Sequence, residues 1–457
     1  MWKRLVVTLL VIALVMFSSI PAAAASPKQM IGINVVLNTS ITNAILTDLG
    51  KHGTIRDVVF EINALTMQVR AGDLAAIKSL PYVAAANPDA ARNGAPVDTV
   101  AANNFSNGLS TWDLDAINVT DFGVGRTIGY DGTGVYVAVV DTGLLDSWRQ
   151  YFPQERIATQ FAKAFRGGGG ENGNVSEPPN MWEHDQNSHG THVTSTILGY
   201  SLGGTPVNGV APMATVIPVK VLGQNGSGWS SVVARGITYV ADLKAGLLAG
   251  SPVVINMSLG GPSLDAMEKA AIDYAISVGV IVVASAGNEG AAGMGYPGAY
   301  APVISVAASG WTGEWVGGRT WWYSADVADP TNPADFYITD FSSRQLTGQD
   351  LDVAAPGSWV VGPYQINSGT NKLSYYYLGG TSMASPHVAG IVALMAQKDP
   401  YLTAAQAETI LENSVIPLPS GCRTVNDGSG NMVNYCWGAN ATGAGLVDAT
   451  AALVATP

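Results

Sequence analysis

From Trp112 onward the chain repeats one pattern, a short continuous run of apolar and β-branched residues followed by a stretch with helical periodicity. The strand candidates are "VYVAVVD", "TVIPVKVL", "PVVINMSLG", "VIVVASAGN" and "VISVAAS", and the helix candidates are "HVTSTILGY", "WSSVVARGITYVADLKAGLL", "LDAMEKAAIDYAISVG" and "SPHVAGIVALMAQK". Runs this apolar leave no face for water, so they predict an α/β fold with a mostly parallel central sheet and helices on both faces. Asp141, Ser258, Asn288 and Ser309 close four of these runs. In open α/β sheets the ligand crevice lies beyond the carboxyl ends of the strands, so these positions are expected to converge.

The N-terminal part reads differently. "MWKRLVVTLLVIALVMFSSIPAAAAS" has a basic start, an apolar run ending at Phe17 and small residues through Ala25. It reads as a cleaved secretory signal, residues 1–25, because the apolar run is short for a membrane span. From Gln29 to about Ala91 the pattern is β-α-β-β-α-β, a small α+β unit assigned to residues 26–93. Residues 94–111 are rich in Ala, Asn and Gly without periodicity and are expected to be an exposed linker. The large unit then covers 112–457.

The net charge of −12 argues against binding a phosphate backbone, so no nucleic-acid partner is expected. No segment after the first is long and apolar enough for a stable membrane anchor. Cys422 and Cys436 flank "RTVNDGSGNMVNY", which has hairpin-like turn signals. In a secreted chain they are expected to form a disulfide, the alternative being two free thiols.

Histidine is scarce enough for elimination: only His52, His184, His189, His192 and His387 exist. Ser382, in "GGTSMASPHVAG", begins a helical pattern, and an isolated Ser there is ordinarily a cap. A hydrolase with the order Ser, acid, His would need His387 as base. That residue follows Ser382 by five positions, about 500° around a helix, and so lies nearly opposite. The remaining order is Asp, His, Ser, with "VVDTG" at Asp141, "NSHGTHV" at His189 and "GGTSMASPHVAG" at Ser382.

With these motifs in this order, the chain resembles the subtilisin-like serine peptidases, the subtilase family, over roughly Trp112 to Val454. The resemblance implies a subtilisin-like three-layer α/β fold and a secreted serine endopeptidase acting on protein or peptide substrates as a monomer, with no cofactor for catalysis. It implies Asp141, His189 and Ser382 as a catalytic triad, and Asn288 in "AGN" with the Ser382 N–H as oxyanion donors. It implies substrate pairing by Ser258, Leu259 and Gly260 of "NMSLGG", and a specificity pocket walled by Ser285, Ala286 and Gly287. The unit at 26–93 resembles the family's propeptide, an intramolecular inhibitor removed by self-cleavage. A catalytically inactive binding protein on the same fold is the rival reading, and the joint presence of Asp141, His189, Ser382 and Asn288 speaks against it.

His192 is expected to be a packed core histidine. The stretch "RGGGGENGNVSEPPNMWEHD" before His189 is expected to be a mobile rim loop. Family members connect the corresponding strands by less than the insert at Gly310 to about Gln349, whose Trp311, Trp315, Trp321, Trp322 and Tyr323 are expected to form a small core of their own. Many relatives bind structural calcium, but "LGYSLGGTPVNGVAP" has no carboxylate. Calcium therefore stays possible and unassigned, with Asn208 and the region around Asp146 as candidates.

Overall fold

The computed structural model describes residues 26–94, 98–101, 110–169, 173–365 and 374–457. The segment read as a signal, 1–25, and most of the segment read as a linker lie outside them.

In the N-terminal unit, Met30–Leu37 pairs antiparallel with Ala64–Arg70 and Val83–Pro88, and Gly53–Val59 extends the sheet beyond Ala64–Arg70. Short helices Asn43–Leu49 and Leu74–Lys78 complete the β-α-β-β-α-β order. Alternation splits the strands as their period of two demands. Ile33, Val35, Leu65 and Met67 enter a core with Leu49 and Ile77. Asn34 and Thr66 point the other way and are equally buried, against the large unit.

The large unit is built on a sheet ordered Lys163–Ala164, Thr215–Lys220, Tyr136–Asp141, Val253–Met257, Val280–Ser285 and Ile304–Trp311. All these pairings are parallel. Val353–Pro356 joins Ile304–Trp311 in parallel and Phe336–Ile338 joins it antiparallel. Side chains alternate between two helix layers. Val137, Val139, Val216 and Val254 join the cluster that holds helices His189–Leu198 and Thr381–Lys398. Ala138, Val140, Ile217 and Ile255 join the one that holds Ser230–Ala245 and Ala266–Ser277. Tyr136–Asp141 is flanked by Thr215–Lys220 on one side and Val253–Met257 on the other, so the chain reverses its direction of winding there. That switch point is where a crevice opens.

Several expectations fail against this architecture. Ser309 does not close its strand, which runs on to Trp311 because Phe336–Ile338 pairs with the extra residues. The insert aromatics build no separate core: Trp311, Trp321, Trp322 and Tyr323 belong to the main cluster with Trp112. Trp315 packs 4.7 Å from Tyr377 and 5.2 Å from Trp359, ring centre to ring centre. The loop before His189 is tied down, because Arg166 pairs with Ser176, Gly169 N–H donates to Asp89 and Asp185 is buried. The stretch after the His189 helix is a hairpin, Gly199–Leu202 on Thr205–Asn208. The segment expected to be an exposed linker contains a strand among the described residues. Within 94–111, Asp98–Ala101 pairs with Tyr375–Gly379, and just ahead of it Ala91–Asn93 pairs with Ser227–Trp229, with Arg92 unexposed. Cys422 and Cys436 do form a disulfide, across the hairpin Gly421–Asn426 and Met432–Trp437.

The two units meet through polar groups at helix starts. Asp89 accepts from Ser231 N–H at 3.0 Å and from the hydroxyls of Ser230 and Ser231, which caps a helix that has no side-chain cap of its own. Asp265 caps Ala266–Ser277 by accepting from Met267 and Glu268 N–H, and also accepts from Asn34 and Asn87 amides. Loss of a helix cap costs about 1–2 kcal/mol. Asp265→Ala is therefore expected to lower the unfolding free energy of the intact chain by at least that range, measured by urea denaturation.

Candidate active site

Asp141 ends its strand at the switch point with no exposed surface. Its carboxylate accepts from Thr142 N–H at 2.6 Å, and His189 Nδ1 lies 2.8 and 3.0 Å from its two oxygens. His189 opens its helix and is also fully buried. The approach depends on Gly190, where a Cβ would lie 2.4 Å from the Gly143 carbonyl oxygen and 3.2 Å from Asp141 Oδ1. Around the pair, Thr142 Oγ1 accepts from Gly190 N–H and donates to Asp185, which also accepts from Ser188 N–H. Lys220 completes this ring, donating to the Thr142 carbonyl and lying 3.5 Å from Asp185. His189 Nε2 is buried with no hydrogen-bond partner.

Ser382 is the second residue of helix Thr381–Lys398. Pro386 lacks the N–H that would take up the Ser382 carbonyl four residues back. That carbonyl instead accepts from Ser258 Oγ at 2.8 Å, while Ser382 Oγ donates to the Ser258 carbonyl at 3.2 Å. The helix irregularity and the strand end thus lock together. Asn288 is half-buried, and its amide oxygen accepts from Thr381 N–H at 2.9 Å and Thr381 Oγ1 at 3.0 Å. With its oxygen so engaged, its NH₂ is the end left to donate.

A groove beside these residues is already filled. Asn93 exchanges both backbone hydrogen bonds with Gly260, and its strand pairs along the other edge with Ser227–Trp229. Gly94 N–H donates to the Gly226 carbonyl. A Cβ on Gly94 would lie 2.8 Å from the Ser258 carbonyl oxygen and 3.2 Å from His189 Cε1. An extended peptide is therefore held between two backbone edges and led past the imidazole. Of the expected pairing residues, Gly260 makes the main-chain pair, Ser258 faces Gly94 and the Leu259 side chain is buried. Among the described residues the tail makes no hydrogen bond to Ser285, Ala286 or Gly287. Ser285 donates to the Leu259 carbonyl and Gly287 N–H to Thr381 Oγ1, which ties these residues to the strand and the helix.

Sequence reading missed the Ser227–Trp229 edge, whose last residue, Trp229, it placed at the start of the following helix. It also missed the Asp185 and Lys220 ring, for which the only sequence signal is the turn-forming "DQNS" before His189.

The other two inward histidines are placed away from this chemistry. His387 has both ring nitrogens engaged, by the Met383 carbonyl at 2.8 Å and Asp113 at 2.9 Å. His192 Nε2 meets the Val360 carbonyl at 3.2 Å, and burial, with His189 adding to it, pushes this imidazole down to about 3.

Among the described residues, the groups of three acidic side chains that approach one another closely enough for a metal ion are Asp115, Asp121 and Asp326, and Asp350, Asp352 and Glu408. Asp146 and Asn208 are in neither group.

A profile of the subtilase family matches residues 132–439. The chain belongs to the subtilase family. Subtilisin DY of Bacillus licheniformis is 35% identical over 294 residues, 64% of this chain and 86% of that protein. Subtilisin Savinase of Lederbergia lenta is 35% identical, covering 64% of this chain and 87% of that one. Fervidolysin from Fervidobacterium pennivorans, described as a keratinolytic enzyme related to subtilisin, superposes with a TM-score of 0.65 at 25% identity. That superposition covers 93% of this chain and 61% of the fervidolysin chain, so this chain spans under two thirds of that molecule. The subtilase has the subtilisin-like α/β fold and is a serine endopeptidase, a hydrolase that needs no cofactor.

His192 yields a pH prediction. Unfolded histidine titrates near 6.5, whereas folded His192 stays neutral to about 3. Between those values unfolding takes up a proton, so stability falls as pH falls, by up to about 1.4 kcal/mol per pH unit from this residue. The loss of unfolding free energy between pH 6 and pH 4 is expected to be smaller in His192→Gln than in the parent chain, measured by urea denaturation at each pH.

Proposed function

We propose that this subtilase is a secreted, self-processing endopeptidase in which Asp141, His189 and Ser382 form the catalytic triad. The observation that carries this reading is the Asp141–His189 hydrogen bond, fully buried, with His189 Nε2 bound to nothing. Ser382 Oγ attacks the substrate carbonyl carbon and its proton passes to His189 Nε2. Asp141 holds the imidazole through Nδ1–H and stabilises the imidazolium. The Asn288 NH₂ and Ser382 N–H donate to the oxyanion of the tetrahedral intermediate, and the helix start favours that charge. The imidazolium then protonates the leaving amine, giving an acyl-enzyme. Water, deprotonated by the same imidazole, hydrolyses the ester and restores Ser382.

Residues 26–93 act as a propeptide and inhibitor: their last strand occupies the groove that a substrate would need. Residues 94–111 are the segment in which the chain is cut, and 112–457 are the mature peptidase, acting as a monomer. Secretion is supported by the signal-like start of the sequence and by the Cys422–Cys436 disulfide. The substrates are proteins and peptides bound as an added strand through Ser258, Leu259 and Gly260 beside a pocket at Ser285, Ala286 and Gly287. Calcium, where bound, would sit in a structural site away from the reacting atoms.

The test is covalent: a fluorophosphonate is expected to label the matured chain at Ser382, located by peptide mass spectrometry. Ser382→Ala is expected to abolish labelling and to accumulate a precursor that keeps residues 26–93. An unlabelled wild-type chain, or normal processing of that variant expressed alone, contradicts the reading. Removing an oxyanion donor from a relative of this fold lowers turnover by about 10²–10³, and Asn288→Ala is expected to fall in the same range with little change in KM.

A further inference from the structure

The tail in the groove carries one side chain that the catalytic reading does not use. Arg92 lies two residues before Gly94, on the same side of an extended chain, and has no exposed surface. Its Nε donates to Glu268 Oε1 at 2.9 Å and its Nη2 to Glu268 Oε2, a two-pronged pairing with a carboxylate that is likewise fully buried. Nη2 also donates to the Ser263 carbonyl at 3.2 Å. Room for the guanidinium depends on Gly261, where a Cβ would lie 2.9 Å from Arg92 Nη1 and 2.3 Å from the Ala91 carbonyl oxygen.

Arg92 belongs to the tail, while Glu268, Ser263 and Gly261 belong to the enzyme. When the tail leaves, Glu268 loses its cation and Asp89 departs with it, so the charge that acts on Glu268 most from the enzyme's own side is the carboxylate Asp265. A carboxylate left in a concave site without a counter-charge favours a cationic occupant. The fork of acceptors matches a planar guanidinium, which donates in two directions at once, better than an ammonium.

We infer that Glu268, with the Ser263 carbonyl and Gly261, forms a substrate subsite that selects arginine two residues ahead of the residue lying over His189. This rests on the reading of the Ala91–Asn93 groove as the substrate groove. The enzyme therefore favours polypeptides with an arginine at one fixed distance upstream of the cut, and its tail holds the groove by imitating such a substrate.

The test uses the matured protein and a set of peptides in which a single arginine is moved stepwise along an otherwise constant sequence, the cut being located by mass spectrometry. Arginine at one upstream position is expected to raise kcat/KM by about 10–100-fold over alanine there, the range of a charge-assisted bidentate contact, and lysine by less. Glu268→Gln is expected to remove that advantage, so that within this variant the arginine and alanine peptides differ by less than about 3-fold in kcat/KM. If the single variant fails to mature because Arg92 is stranded, Arg92→Gln with Glu268→Gln is compared in the same way. Cleavage without an arginine preference, or a preference that survives Glu268→Gln, overturns the subsite and leaves the peptidase reading standing. Failure to cleave any peptide, with Ser382 unlabelled, overturns the peptidase reading and the subsite with it.

Discussion

The hydrogen bond between Asp141 and His189 is the contact around which the large unit is arranged. A carboxylate with no exposure is tolerated only where its oxygens and the polar groups around it have partners. Thr142 N–H, Thr142 Oγ1, Asp185 and Lys220 supply those partners, and they come from a strand end, the loop before His189 and the neighbouring strand. A parallel sheet provides such a place at its switch point, where strand ends bring polar residues together above an apolar core. The helix that carries Ser382 packs in the same layer as the His189 helix and is fixed by reciprocal bonds between Ser382 and Ser258, which use the carbonyl that Pro386 leaves unpaired. Asp141, His189, Ser258 and Ser382 are thus held by separate elements whose ends are tied to one another.

The same economy of polar partners governs how the N-terminal unit docks. Asn34 donates to Asp89, Ser230 and Asp265 and accepts from Thr66, all in a buried layer between the two units. Asp89 reaches across to cap the helix that begins at Ser230, so the large unit borrows part of its own satisfaction from the segment in front of it. Burial pushes the Asp89 carboxyl up, and its bonds to Ser230 and Ser231 oppose that push. An interface of this kind is specific in geometry, since each donor has one place to go, and it depends on the Ala91–Asn93 strand remaining paired at both edges.

Much of this was legible in the sequence. The strand runs, the order of the β-α-β-β-α-β unit and the apolar periodicity of the helices are local patterns, because burial on one or two faces writes itself into consecutive residues. Histidine scarcity and motif order singled out Asp141 and His189, which the structure brings together, and assigned His387 to the wrong side of its helix. The groove was not legible. Ala91–Asn93 is too short to show a period, and its pairing with Ser227–Trp229 and Gly260 joins residues far apart in the chain. Arg92 carried no signal in the sequence, because its partner Glu268 lies far along the chain. The tryptophans of the insert read as self-contained for a related reason: their partners Trp112, Trp359 and Tyr377 lie well outside the insert. Ser309 misled because the extra strand that extends its own lies beyond it in sequence.

The claim on which the account turns is that Asp141 holds the His189 Nδ1 proton in a buried hydrogen bond while Nε2 stays free. Proton NMR of the intact chain, with ¹⁵N-labelled histidine to separate His189 from His387, observes that proton directly. The account predicts a strongly downfield proton coupled to His189 Nδ1, retained in Ser382→Ala and lost in Asp141→Ala. No such resonance on His189, or one that persists in Asp141→Ala, would contradict it.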